Sequence, residues 1–88
     1  MRAENILGQA STEMQARAAF RDNFAERSME RTVATFNALT GRGLQEIDGW
    51  IFMCCLKLAR SQNGVPRLDD FVDLAAYAAL AGETLPEP

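Results

Sequence analysis

The chain has 88 residues, 48% of them hydrophobic and 24% charged, with only three prolines, a composition of one folded domain rather than a disordered segment. Nine basic against twelve acidic residues leave a formal net charge of −3, and the bases are spread from Arg2 to Arg67. That balance excludes the phosphate-tracking surface on which nucleic-acid affinity depends.

In chain order, Ile6, Ala10, Met14 and Ala18 recur every four residues, and Glu13 and Arg17 stand four apart where they can pair, so the spacing predicts a first helix over 3–19. Phe20-Arg21-Asp22-Asn23-Phe24 interrupts the pattern. Ser28 then offers a hydroxyl cap, and Met29, Val33, Phe36 and Leu39 form the stripe of a second helix over 28–40. Glu26, Arg27, Glu30 and Arg31 read as solvated charges at its start, and Gly41 as the left-handed residue after its end.

A third helix, over 44–61, begins with Glu46 and Asp48 and finishes with Lys57 and Arg60, the order that complements a helix dipole. Its middle, Trp50 to Leu56, is apolar on every side through two turns. Such a helix must be enclosed all round, which three further helices of so short a chain do not achieve, so a second subunit is expected to complete the bundle. After Gln62-Asn63-Gly64-Val65, Pro66 is placed to open a fourth helix over 67–81, with Asp69 and Asp70 in its first turn. Ala75, Ala76, Ala78, Ala79 and Ala81 give that helix a thin profile along which a neighbour can approach closely. The fold class is therefore all-α: four helices in one domain over 1–88, completed by homo-oligomerisation, with 84–88 as a disordered tail.

The longest apolar runs, Trp50 to Leu56 and Leu74 to Ala81, fall far short of the ~20 residues that span a bilayer. No basic segment followed by an apolar one marks a signal peptide at the start. Cys54 and Cys55 are adjacent, so a bridge between them would staple nothing distant, and they suit a reducing compartment. A soluble cytoplasmic protein with no membrane partner is expected.

The chain contains no histidine, which removes the commonest general base and zinc ligand and every Ser-His or Cys-His arrangement. Cys54 and Cys55 lie inside an apolar run, where burial raises a thiol pKa and blunts a nucleophile. Carboxylates on neighbouring helices can hold magnesium, and Asp69 or Asp70 with Asp73 would supply half of such a site. Helix three offers only Glu46 and Asp48 as the other half, and Asp48 stands nine residues from Lys57, about 14 Å along a helix. A short connection makes helices three and four antiparallel neighbours, which places Lys57 beside Asp73 and Arg60 beside Asp69 or Asp70 as structural ion pairs. Trp50, Met53, Cys54 and Tyr77 are the expected oligomer interface. No catalytic residue, metal ligand or cofactor is assigned.

The ordered set Glu26-Arg27-Ser28-Met29, Thr32-Val33, Phe36-Asn37, Thr40-Gly41, Gly49-Trp50, Phe52-Met53, Leu56-Lys57, Arg60-Ser61, Asp69, Asp73, Ala76-Tyr77 and Ala79-Leu80-Ala81-Gly82-Glu83 resembles a small family of phage and prophage proteins of unknown function. The resemblance covers roughly residues 16 to 83 and implies a site of action in the cytoplasm of an infected or lysogenic bacterial cell. In helix order the chain is also similar to nucleotide-modification-associated phage domains. More remotely it is similar to the MazG-type all-α nucleoside triphosphate pyrophosphohydrolases, which implies magnesium and a dimer or tetramer. Asp70-x-x-Asp73 can imitate one acidic motif of those enzymes, whereas Lys57 and its neighbours supply nothing like the other, and Val72 stands where an acid is expected. The leading expectation is a non-catalytic homo-oligomer, dimer or tetramer, that binds another macromolecule such as a host protein. The alternative is a magnesium-dependent nucleotide-binding or pyrophosphohydrolase-like protein with Asp69, Asp70 and Asp73 on the metal and Lys57 or Arg60 on phosphate.

Overall fold

The computed structural model describes residues 1–23 and 28–87, with the side chains of 1–16 and 28–87. Four α-helices make up the fold: α1 (Ala3–Asn23), α2 (Ser28–Thr40), α3 (Glu46–Ser61) and α4 (Leu68–Glu83). Among the described residues there is no strand, and no helix is long and apolar enough to cross a membrane. Glu26, Arg27 and Pro88, and the pairing expected of Glu13 with Arg17, fall outside the described residues and side chains.

The helix ends differ from expectation where local chemistry decides them. The first helix continues to Asn23 instead of stopping at 19. Residues 20–23 contain neither glycine nor proline, so losing the apolar spacing there does not forbid helical backbone. α3 starts at Glu46, two residues late, because Gln45 is its N-cap in extended backbone and donates its N–H to Asp48 Oδ2 at 2.8 Å. α4 starts at Leu68 after the extended cap Arg67, which leaves Pro66 in the connection. It runs two residues beyond 81, because Gly82 keeps helical backbone and Thr84 closes the helix with its N–H and its hydroxyl both bonded to Ala81 O. Leu85 N–H bonds to Gly82 O, so the first residues after α4 complete its last turn.

Gly41 takes φ 73° and its N–H closes α2 on Asn37 O at 2.9 Å. Asn37 then reaches across the turn. Its Nδ2 donates to Leu44 O at 2.8 Å, and its Oδ1 accepts from Leu44 N at 2.9 Å. One amide thus satisfies both backbone groups of Leu44 and ties the α2–α3 connection as a ladder pair would.

α4 is the central element, packed on α3 along its length and on α1 by an adjacent face, while α2 rests on α3. Toward α1, Val72 and Ala76 are 1% exposed and meet Ala10, with Ile6, Met14 and Ala75 around them. Small residues on both helices let the backbones approach, as the alanine-rich profile of α4 requires. α2 sits against Gly49 of α3. A Cβ built on Gly49 would collide with Met29 Sδ and stand 2.9 Å from Val33 Cγ2, so the missing side chain is what admits α2.

This packing leaves much apolar surface open. The radius of gyration is 14.3 Å, against about 12 Å for a compact chain of this length. The accessible surface is 6576 Å², whereas a compact 9.7 kDa monomer exposes about 5,100 Å².

Two substitutions at glycine separate propensity from packing. Gly8 has nothing within 4 Å of its would-be Cβ, so Gly8→Ala is expected to raise thermal stability by up to about 1 kcal/mol. At Gly49 the same helical gain is opposed by ~1–3 kcal/mol of overpacking against the stiff Val33, and a net fall in Tm of roughly 4–8 °C is expected. Thermal unfolding followed by circular dichroism reads both. Asn37→Asp keeps the acceptor but loses the donor to Leu44 O, and urea unfolding should show a loss of about 1 kcal/mol.

Candidate functional site

The charged residues singled out in the sequence meet in the seam between α3 and α4. Lys57, on the buried side of α3, places Nζ 3.0 Å from Asp73 Oδ2, with side-chain exposures of 10% and 19%. One turn along, Arg60 Nε stands 3.7 Å from Asp70 Oδ1, with Asp70 buried and Arg60 half in water. At that separation the attraction is Coulombic rather than a well-formed hydrogen bond. Contacts that climb α3 descend α4, so the helices are antiparallel, as their short connection dictates. Asp69 points to solvent instead of joining the seam.

Farther along the same seam, Trp50 stacks on Tyr77 with ring centroids 6.0 Å apart and planes at 26°. The Trp50 indole N–H donates to Glu46 Oε2 at 3.0 Å, which satisfies the polar end of a buried ring. Ser61 is also buried and donates its hydroxyl to Leu58 O at 2.7 Å. Among the described residues, every buried side-chain nitrogen and oxygen has a hydrogen-bond partner. The seam is therefore a satisfied polar network with both rows of charge spent on each other.

Its donor set does not fit a magnesium ion. Among the described residues, no three of His, Cys, Asp or Glu gather closely enough to hold a metal. A cation at Asp73 would have to displace the ammonium of Lys57. Cys54 is half-buried, and burial, with a smaller effect from the neighbouring Cys55, pushes its thiol above the usual range, away from the thiolate that a nucleophile needs.

Of the residues expected at an oligomer interface, Trp50 and Tyr77 cover each other within one chain, and Cys54 and Met53 are half-buried. The open apolar surface of α3 lies elsewhere, on Ile51, Phe52, Leu56 and Leu58. Phe52, 71% exposed, borders a groove of about 370 Å³ between α2 and α3. Met29, Val33 and Phe36 form one wall, Gly49, Phe52 and Met53 the other, and Leu44 closes the end. Once α4 has put the line of Trp50, Lys57 and Ser61 inside, the helical period leaves Phe52 nearly opposite it.

Breaking the central ion pair from one side leaves a charge in a nearly dry seam. Lys57→Met is expected to cost about 2–4 kcal/mol in urea unfolding, whereas Lys57→Met combined with Asp73→Leu should recover much of that loss. A double-mutant cycle measures the coupling.

No curated protein matches the chain, and no solved structure does. A family model described as a domain of unknown function matches residues 5–85, and the chain belongs to that family, DUF6378.

Proposed function

We propose that this chain is a non-catalytic helical binding module that works as a homo-oligomer and engages a further macromolecule, a host protein, in the cytoplasm of an infected or lysogenic bacterial cell. The observation that carries the reading is the division of α3. Its charged and aromatic face is spent inside the chain, while Ile51, Phe52, Leu56 and Leu58 stand open. A protein that binds by apolar contact needs such a surface. The motif order that resembles phage and prophage proteins supports the cellular setting.

The pyrophosphohydrolase-like alternative asks Lys57 and Arg60 to meet phosphate and Asp69, Asp70 and Asp73 to meet magnesium. Lys57 and Arg60 already face Asp73 and Asp70, and Asp69 stands apart in solvent. Purified protein incubated with a panel of nucleoside triphosphates and magnesium is expected to release no product, and titration calorimetry with the same nucleotides to give no binding heat. Hydrolysis abolished by Asp73→Ala in a folded variant would establish the alternative instead.

A further inference from the structure

We infer that the groove between α2 and α3 is the surface on which two copies of this chain close, with Phe52 of each copy entering the groove of the other. The inference rests on the oligomeric part of the function proposed above and names its surface. Groove and ridge lie side by side on one chain: the hollow walled by Met29, Val33, Phe36 and Met53 has the exposed ring of Phe52 on its border. A two-fold axis beside that border sets each ridge over the other hollow, the self-complementary arrangement that an isologous interface demands.

Area argues for a second copy as the occupant. Each chain exposes roughly 1,500 Å² more than a compact monomer of its mass. A stable dimer of standard size takes about 800 Å² from each partner. Phe36 and Leu44 are also open and line the groove, and Leu56, four residues from Phe52, continues the exposed face of α3 beside it. Charge does not oppose closure. Asp48 lines the groove from the exposed first turn of α3, and its carboxylate accepts the Gln45 N–H, so it can remain wet at the rim.

Light scattering coupled to size exclusion on the whole chain tests this at micromolar concentration, with circular dichroism checking helicity. The expected result is a dimeric wild type, a monomeric Phe52→Asp variant of unchanged helicity, and a dimeric Leu58→Asp variant. Leu58 is an exposed apolar control nine residues from Gly49, half a turn around α3 from the α2 contact. A monomeric wild type would overturn the oligomeric reading itself and leave the groove to another partner. A wild-type oligomer that survives Phe52→Asp but not Leu58→Asp would keep the oligomer and overturn the groove assignment. Should Phe52→Asp fail to fold, Phe52→Ala decides: association weakened by roughly 30-fold supports the anchor, and unchanged affinity rejects it.

Discussion

Lys57 and Asp73, paired at 3.0 Å in the seam of α3 and α4, set the register on which the other contacts depend. A shift of one turn in either direction would part the pair and leave one of the two charges against apolar neighbours, Asp73 beside Met53 or Lys57 beside Ala76, a loss of several kcal/mol. With that register held, Arg60 falls beside the buried Asp70, and Trp50 stacks on Tyr77. An adjacent face of α4 then presents Val72 and Ala76 to Ala10 of α1. A small domain with so few fully buried side chains gains little from core volume, so an ionic register acts here more as a selector of one packing than as a source of stability.

The attachment of α2 follows a different logic. Among the described residues it packs chiefly on α3, through the notch at Gly49 and the clasp between Asn37 and Leu44. One helix resting on one neighbour necessarily leaves a concave flank, and here that flank is apolar. The same geometry therefore leaves open the surface on which association is proposed. Structure and proposed function meet at this point: the buried polar groups of the α3–α4 seam hold those helices together, and the open face of α3 at Ile51, Phe52, Leu56 and Leu58 is hydrophobic.

The helical class, the four elements and the opposed charges of α3 and α4 were legible in the residues, because each rests on local spacing or on a short connection between neighbours. Three readings needed more. The loss of apolar spacing at Phe20 did not end α1, since a backbone without glycine or proline continues unless something competes for its hydrogen bonds. α3 began late because Asn37 had already taken both backbone groups of Leu44, a contact seven residues away that no local pattern encodes. Tyr77, expected at an interface, lies against Trp50 in the same chain, and only the pairing of α3 with α4 brings the two rings together.

What the sequence by itself determined is the inventory: an all-α chain without histidine, balanced toward acid, with a helix whose centre is apolar on every side. What only the tertiary structure decided is the phase of that helix. Seven apolar residues in a row carry no periodic signal, so each has equal claim to the core until neighbours arrive. α4 arrives on the side of Trp50 and Lys57, α2 on the side of Gly49, and Phe52 is left at the mouth of the groove between α2 and α3.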